Sequence, residues 1–288
     1  MSDVIVVGVD GSEPGFRAVE WAADDAFRMG VPLRCVCVVE TWPYQVPQVG
    51  AVEWEEYLAT HARKVLAEAE ELVRRRRPSV EVSTELMTGT PATSLRERAE
   101  DATELVVGGR GRGGFAGAVL GSVSMNVAGQ IPAPVVVVRA GGAPVRGEIA
   151  VGFDASSAPC EPALTYAFRQ AALRESTLRA VYAWPLPFAL ATSFDLDFVA
   201  LREHHQHLAT VQLAPWRERH PEVRVITDVR CAHPVETLAA ASDQADLLVV
   251  GSHGRSTLKA IVLGSVSRGV LHHARGNVAV VRTADTTE

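Results

Sequence analysis

Several features that mark whole classes of protein are scarce in this chain of 288 residues. Lysine and arginine together number 28 against 34 acidic residues, and the net charge of −6 gives no overall reason to expect nucleic-acid binding. No apolar run reaches the length of a membrane span, so no membrane contact is expected. The residues after Met1 lead into an apolar run without a basic segment, and we therefore expect no secretory signal.

Cysteine is also rare, with four in the chain. Cys35 and Cys37 alternate within an apolar run and would share one face of a strand, which favours two small core residues over a disulfide or metal pair. Cys160 and Cys231 are far apart in the sequence. This usage indicates a reducing compartment, and we expect a cytoplasmic protein.

Two common nucleotide-binding motifs are missing or weak. The chain contains no G-x-x-x-x-G-K-[ST] segment, and so no P-loop lysine for a γ-phosphate. Gly109, Gly111 and Gly114 do fit G-x-G-x-x-G, but they follow the fourth predicted strand instead of the first. The second copy of this segment lacks the pattern, so a dinucleotide site is not expected.

The chain does contain one arrangement twice, a strand followed by a glycine loop and a helix start. In the first copy, Leu105–Val107 leads into Gly108-Gly109-Arg110-Gly111, then nine residues, then Gly121-Ser122. In the second copy, Asp246–Val250 leads into Gly251-Ser252-His253-Gly254, then nine residues, then Gly264-Ser265. The copies lie 143 residues apart, which indicates two repeats of one nucleotide-sized module.

The hydrophobic pattern of each half alternates strands and helices, which predicts an α/β fold with a doubly wound parallel sheet. We expect one domain over residues 1–140 and a second over 148–288, joined by a short linker. The predicted strands of the first half are Val4–Val9, Leu33–Val39, Val80–Met87, Leu105–Val107 and Val135–Val138. Its first predicted helix ends at Met29, the second spans about Glu53–Arg77, the third spans Ser94–Asp101, and the fourth begins at Ser122. The second half repeats this order, with strands near Ile149, at Leu178–Ala183, Asp246–Val250 and Val278–Val281, and helices at Phe198–Arg219 and Ser265–Ala274.

The repeated glycines and serines are candidates for an anion site. Glycine permits positive φ and close approach of a ligand to the backbone, although the same residues could simply shape tight turns. Ser122 and Ser265 would each start a helix, where a hydroxyl can cap the helix or bind a phosphate oxygen.

Asp10 and Asp154 each end the first strand of their half, at the edge of the sheet where ligands bind in such folds. A carboxylate there could accept hydrogen bonds from ribose hydroxyls. It could equally act as the N-cap of the following helix, and position alone does not separate the two roles.

Other charged and apolar groups carry weaker signals. Arg110, Arg112, Arg255 and Lys259 lie in the glycine loops, where they could screen phosphate charge or simply be solvated. His204, His205 and His207 share a helix, but a metal site would need a further ligand, and none is predicted. Arg74 to Arg77 are expected at a solvated helix end. The apolar loop from Trp184 to Leu196 could be a lid, a partner surface, or a segment packed on its own domain.

The G-x-x-G, nine residues, G-S pattern, with an aspartate after the first strand, resembles the universal stress protein family in its tandem two-domain form. The resemblance covers nearly the whole chain. It implies two Rossmann-like (adenine nucleotide alpha hydrolase-like) domains, each with a five-stranded parallel sheet in the order 3-2-1-4-5. It also implies that the last strands, Val135–Val138 and Val278–Val281, pair with each other, so that one chain forms a pseudo-dimer.

The resemblance further implies that each half binds one ATP, with Mg²⁺ allowed and no catalytic residue. By the family pattern, Asp10 and Asp154 hold the ribose, the backbone near Val38 and Ala183 meets adenine, and the glycine loops hold the phosphates. The ATP-binding residues expected in the first half are Gly8, Asp10, Val38, Gly108, Arg110, Gly111, Arg112, Gly113, Gly114, Gly121, Ser122 and Val123. Those expected in the second half are Gly152, Asp154, Ala183, Gly251, Ser252, His253, Gly254, Arg255, Ser256, Thr257, Gly264, Ser265 and Val266.

The second copy departs from the first at a few positions. Ala155 stands where the first copy has Gly11, and Pro159 and Pro162 fall early in its first helix, which only the first turn tolerates. No motif glycine is lost, so both sites are expected to bind a nucleotide.

Two classes of function remain open. The first is an ATP-binding regulatory protein, with a role in stress response or growth regulation and an unidentified protein partner. The second is a slow ATPase or nucleotide-dependent transferase, which is less favoured because no repeated acidic pair or loop lysine is present to hold Mg²⁺ and orient water. An empty dimerising scaffold is a third reading, and the sequence also allows a homodimer.

Overall fold

The computed structural model describes residues 3–40, 51–111, 120–139, 145–157, 161–186, 197–253 and 263–282. The chain divides into two compact units, Met1–Gly141 and Gly142–Glu288. No helix among the described residues combines the length and the hydropathy that a membrane crossing needs.

The first unit alternates strands and helices along its whole length. Its strands are β1 (Ile5–Gly8), β2 (Leu33–Val39), β3 (Val82–Thr88), β4 (Glu104–Gly108) and β5 (Val135–Val138), and its helices are α1 (Glu13–Met29), α2 (Ala51–Arg76), α3 (Pro91–Arg98) and α4 (Ser122–Val127). The strands are parallel and follow the order β3-β2-β1-β4-β5. Helices α1 and α2 contact each other, as do α3 and α4, so that each pair covers one face of the sheet.

The second unit repeats this architecture. Its strands are β6 (Glu148–Gly152), β7 (Thr177–Ala183), β8 (Val225–Arg230), β9 (Leu247–Gly251) and β10 (Val278–Val281), and its described helices are α5 (Glu161–Leu173), α6 (Phe198–Arg219), α7 (Pro234–Ser242) and α8 (Ser265–His273). The order β8-β7-β6-β9-β10 is again 3-2-1-4-5, and the pairs are parallel. The predicted fold class is therefore confirmed, while the pairing of β5 with β10 stays a prediction.

The central strands are apolar without interruption because both of their faces are covered. In β1, Ile5, Val6 and Val7 have no exposed surface, and the valines of β5 are buried in the same way. A strand with one solvated face would alternate apolar and polar residues instead. Cys35 and Cys37 are both buried, which confirms their prediction as core residues, and burial raises the pKa of the Cys35 thiol to about 12.

Local sequence signals set most helix ends. The Ser12 hydroxyl accepts a hydrogen bond from the Gly15 N–H at the start of α1, and Gly30 ends that helix in the left-handed region, at φ 68°. Helix α3 begins at Pro91 and not at the predicted Ser94. Thr90 is extended there, and the ring of Pro91 favours the first helical position.

The end of α2 is held against α1 by an ionic cluster. The Arg76 guanidinium donates to both carboxylate oxygens of Asp24 at 3.1 and 2.9 Å, and Arg77 donates to Oδ1 at 2.8 Å. The guanidinium of Arg77 also lies over the ring of Phe27. Arg76 is exposed and Arg77 is half-buried, so the helix end is solvated as predicted, and the two arginines also bind Asp24 there.

We predict that Asp24→Asn destabilises the first unit by about 1 kcal/mol at neutral pH, since it removes charge-assisted hydrogen bonds. Burial alone would raise the pKa of Asp24, but the hydrogen bonds and charges of Arg76 and Arg77 lower it below 3.8. The folded-state pKa then lies below that of the unfolded chain, so the contribution is complete above about pH 5 and is lost as the pH falls through the acidic range.

Urea unfolding of the parent and variant at pH 7 and pH 3 measures this effect. Glu13→Gln is the control, because the Glu13–Arg17 pair is exposed and should contribute less than about 0.5 kcal/mol. An Asp24→Asn difference that persists unchanged at pH 3 would contradict the prediction.

Candidate functional site

Asp10 lies at the carboxyl edge of the first sheet, directly beyond β1. Its Oδ1 accepts hydrogen bonds from the Ser12 N–H at 3.0 Å and from the Ser12 hydroxyl at 2.5 Å. Ser12 is the N-cap of α1, so the N-cap role that the sequence left open for Asp10 is excluded in the first unit. Asp10 instead orients the serine that caps the helix, and its carboxylate is held in one direction.

The same local structure recurs in the second unit. Asp154 Oδ1 accepts from the Ser156 N–H at 3.0 Å and from the Ser156 hydroxyl at 2.7 Å. The Asp-x-Ser triplet therefore forms a compact turn at the end of the first strand in both units. Ser12 and Ser156 were not predicted as site residues, although their repetition two residues after each aspartate is visible in the sequence.

Both glycine loops are closed by three matching hydrogen bonds. In the first unit the Gly109 N–H donates to the Val138 carbonyl at 2.7 Å, the Gly121 N–H to the Gly109 carbonyl at 2.8 Å, and the Ser124 hydroxyl to the Gly108 carbonyl at 2.7 Å. The loop thus leaves β4 and returns to the same point before α4 begins.

The second unit has the three corresponding hydrogen bonds. The Ser252 N–H donates to the Val281 carbonyl at 2.7 Å, the Gly264 N–H to the Ser252 carbonyl at 2.8 Å, and the Ser267 hydroxyl to the Gly251 carbonyl at 2.5 Å. Ser124 and Ser267 were not predicted as site residues. The repeated Gly-Ser-Val-Ser segment was the signal that could have identified them.

The described motif glycines do not adopt positive φ, and two of them, Gly108 and Gly111, instead allow close packing. Among the described residues, positive-φ glycines occur elsewhere, and Gly108, Gly111, Gly121, Gly251 and Gly264 are not among them. A Cβ on Gly108 would lie 2.8 Å from the Pro14 carbonyl group, so this glycine lets β4 approach the first turn of α1. The expectation of positive φ was therefore wrong for these five residues.

Gly111 brings the first glycine loop against Asp10. A Cβ on Gly111 would lie 2.7 Å from Asp10 Oδ2, the carboxylate oxygen opposite the one that Ser12 contacts. A Cβ on Gly15 would lie 2.7 Å from Asp10 Oδ1. The carboxylate therefore sits between the loop and the start of α1, and the structure brings these two predicted site elements together.

Gly8 and Gly152 have a packing role in the structure. A Cβ on Gly8 would lie 2.9 Å from the Leu95 side chain of α3, and one on Gly152 would lie 2.8 Å from Leu238 of α7. Each glycine thus lets a helix pack against the end of the first strand of its unit.

Ser122 and Ser265 are the first residues of α4 and α8. The N-caps are Gly121 and Gly264, which are extended and make no side-chain capping bond. Both serines are exposed, so of the two roles predicted for their hydroxyls, capping is excluded and contact with an anion is left. Val123 and Val266 follow them, half-buried, within the first turn.

A cavity of about 480 Å³ opens beside Asp10 in the first unit. Its walls are the end of β2 and one side of α2, and it is lined by Asp10, Cys37, Val38, Val39, Glu40, Trp54, Leu58, His61, Ala62 and Val65. Trp54 stacks on Tyr57 with ring centroids 5.7 Å apart. Asp10 and Val38 were predicted at this site, whereas the residues of α2 that line the cavity were not.

Two arginines make the base of the first glycine loop electropositive. Arg110 is exposed, and Arg139 follows β5 beside Gly109, whose Cβ would lie 2.9 Å from the Arg139 side chain. Burial and the positive charge of Arg110 lower the pKa of Arg139 to about 10. Arg139 was not predicted, and it adds a second cation at the edge of the sheet where Arg110 was expected to screen phosphate.

Some predicted site residues lie outside the described residues, namely Arg112, Gly113, Gly114, Gly254, Arg255, Ser256 and Thr257, as does Lys259. His253 is described, and its Nδ1 lies 3.0 Å from the hydroxyl of the buried Ser252. Of the apolar loop after β7, Trp184 and Leu186 pack on their own unit, together with Tyr182 and Ala209, and residues 187–196 lie outside the described residues.

The repeat of the site in two units agrees with a family model that matches the chain twice. The model of the universal stress protein family matches residues 1–139 and again 146–282. The chain belongs to the universal stress protein family. A universal stress protein of Mycobacterium tuberculosis (strain ATCC 25618 / H37Rv) is 36% identical over 289 residues, covering 96% of each chain.

Two further comparisons cover nearly the full length. Another universal stress protein of the same strain is 32% identical over 300 residues, covering 96% of this chain and 94% of its own. The crystal structure of a universal stress protein from Archaeoglobus fulgidus DSM 4304 has a TM-score of 0.71, with 18% identity over 100% of this chain and 98% of that chain. The last similarity supports the tandem fold.

We predict that Gly111→Ala weakens the ATP binding that we propose for the first unit by at least about tenfold. The new Cβ would push the Asp10 carboxylate away from Ser12, and loss of one such contact corresponds to about 1.4 kcal/mol. Isothermal titration calorimetry on nucleotide-free protein measures the change. Gly30→Ala is the control: its φ of 68° should cost about 1 kcal/mol of stability without altering binding. Equal affinity of Gly111→Ala and parent would contradict the prediction.

Proposed function

We propose that this chain is an ATP-binding regulatory protein of the universal stress type. ATP would occupy the carboxyl edge of the first sheet, and its presence would alter the shape of the protein or its choice of partner in stress response or growth regulation. The observation that carries the proposal is the cavity beside Asp10, at the point where the first glycine loop meets that carboxylate.

The cavity suits a planar base. Its volume of about 480 Å³ falls in the range typical of small-molecule sites, and its walls are mostly apolar. The edge of β2 at Val38 offers backbone groups for hydrogen bonds with the base, while Leu58 and Val65 on α2 offer apolar contact. Trp54 and His61 add rings on which an adenine could stack.

Asp10 suits a ribose. A carboxylate can accept about four hydrogen bonds, and the two from Ser12 converge on one oxygen. These bonds hold the group in a fixed orientation at the cavity wall, so that little side-chain entropy is lost when two ribose hydroxyls bind.

The start of α4 and the base of the glycine loop suit the phosphates. The first N–H groups of a helix lack intrahelical acceptors, and the exposed Ser122 adds a hydroxyl. Arg110 and Arg139 supply positive charge at the same edge, and Mg²⁺ could accompany the nucleotide. Asp154, Gly264 and Ser265 present the corresponding ribose and phosphate groups in the second unit.

A regulatory role is favoured over an enzymatic one. The carboxylate nearest the glycine loop, Asp10, is committed to Ser12 and to the proposed ribose site, and the loop carries no P-loop lysine. An attacking water therefore lacks an obvious orienting group in the described part of the site. The chain has four cysteines, and Cys35 and Cys37 are buried core residues, which suits a reducing compartment. We therefore propose a cytoplasmic protein that acts through an unidentified protein partner.

We expect ATP binding in the first unit to depend on Asp10. Asp10→Ala should weaken that binding by about 10- to 100-fold, since hydrogen bonds to a charged group contribute about 1.5–3 kcal/mol. Asp10→Asn is the matched variant: it keeps the shape and one acceptor and should lose less. Calorimetry with ATP measures both, and undiminished binding by Asp10→Ala would refute the proposed ribose contact.

ATP turnover separates the regulatory from the enzymatic candidate. The purified protein with Mg²⁺ should hydrolyse ATP far more slowly than the typical enzyme rate of about 10 s⁻¹. A phosphate-release assay measures the rate, with Asp10→Ala as the control for a contaminating ATPase. Turnover near 10 s⁻¹ that disappears in Asp10→Ala would establish an enzyme instead.

A further inference from the structure

The two units differ most at the position of the first unit's cavity. Strand register relates them: Gly8 pairs with Val36 between β1 and β2, and Gly152 pairs with Val181 between β6 and β7. The residues that follow on β2 and β7 therefore correspond one to one. Cys37, Val38 and Val39 of the first unit are matched by Tyr182, Ala183 and Trp184 of the second.

The long helices correspond as well. The residues of α2 that line the cavity are Trp54, Leu58, His61, Ala62 and Val65, at steps of 4, 3, 1 and 3. The same steps along α6 give Leu201, His205, Leu208, Ala209 and Gln212. Leu201, Leu208 and Ala209 all pack in the cluster that contains Tyr182 and Trp184, so α6 presents the corresponding face to the corresponding strand end.

In the second unit this position is filled by aromatic side chains. Tyr182 is 1% exposed and Trp184 is 6% exposed. The His205 ring stacks on Trp184 with centroids 4.1 Å apart and planes 13° apart, and its Nδ1 lies 3.0 Å from the Tyr182 hydroxyl. Phe153, next to Asp154, packs on Tyr182 with ring centroids 5.8 Å apart. We call Tyr182, Trp184 and His205 the aromatic plug.

The side chains of the first unit at these positions are smaller or aliphatic. Cys37, Val39 and Leu58 stand where the second unit has Tyr182, Trp184 and His205, and the cavity remains open between them. A planar base could enter the corresponding space of the second unit only by displacing the plug. It would then replace a stacked, hydrogen-bonded set of rings that is already desolvated, and little net free energy would be gained.

Resting on the proposed nucleotide function, we infer that the aromatic plug closes the base site of the second unit, so that the chain holds one ATP, in the first unit. Two bound ATP molecules per chain were predicted from the sequence, because the glycine loop and the aspartate are repeated. Those elements would bind the phosphates and the ribose, and their presence does not show whether the unit has a cavity for the base. Nucleotide control of the protein would then act through the first unit alone.

The chain itself supplies the substitutions that test this. Tyr182→Cys combined with Trp184→Val copies Cys37 and Val39 into the second unit and should open it. Calorimetry with ATP should give a ratio of one for the parent and two for this opened variant. Tyr182→Phe keeps the ring and should keep the ratio at one. Asp10→Ala should weaken the parent's single site by about 10- to 100-fold and leave the second unit's site of the opened variant unaltered.

The reciprocal change tests the inference if the opened variant does not fold. Cys37→Tyr combined with Val39→Trp copies the plug rings into the first unit and should reduce ATP binding by at least 100-fold, with circular dichroism confirming that the fold is kept. Unaltered ATP binding by this folded variant would overturn the inference.

The remaining outcomes separate the inference from the proposed function. Two equal sites in the parent, or a ratio of one in a folded opened variant, would overturn the inference and leave the nucleotide function intact. No ATP binding by the parent would refute the proposed function in the first unit. The inference would survive that result only if the opened variant gained a site, and it would fail if the opened variant also bound nothing.

Discussion

Three backbone segments converge on the Asp10 carboxylate, and the rest of the candidate site depends on how closely they approach it. The end of β1 supplies the aspartate, the first turn of α1 supplies Ser12 and Gly15, and the glycine loop supplies Gly111. A Cβ on either glycine would lie 2.7 Å from a carboxylate oxygen. Glycine is therefore required for approach, and the carboxylate can be both fixed and adjacent to the loop.

The two units share a backbone frame at this edge although their side chains differ. The hydrogen bonds that close each glycine loop run between backbone groups and one serine hydroxyl, and they are matched between the units. Leu95 and Leu238 pack against the glycines that end β1 and β6. These contacts do not involve the side chains that line the first unit's cavity or those of the aromatic plug, so the two units can differ there without loss of the shared frame.

The aromatic plug has a structural consequence for the second unit. Tyr and Trp bury large apolar surfaces, and a stacked ring with a hydrogen-bonded hydroxyl satisfies both the apolar and the polar parts of the group. Tyr182, Trp184 and His205 join β7 to α6 in this way. In the first unit, β2 and α2 enclose a cavity at that position, and α2 is held at its far end by Asp24 with Arg76 and Arg77.

The amino-acid sequence by itself determined the repeat, the fold class and most element bounds. The strands Leu33–Val39, Val135–Val138 and Val278–Val281 and the helix Phe198–Arg219 coincide with the predicted ranges. They are apolar runs or periodic segments bounded by glycine or proline, which are local signals. It also identified Asp10 and the glycine loop, because a repeated motif is visible without knowledge of contacts.

Only the tertiary structure decided what the motif residues touch. Spacing could not show that Gly108 faces Pro14 instead of a ligand, or that the motif glycines among the described residues avoid positive φ. It could not show that Val39 borders a cavity while Trp184 lies beneath His205. Each of these facts depends on the distance between a strand end and a helix remote in the sequence, and that distance is set by packing of the whole unit.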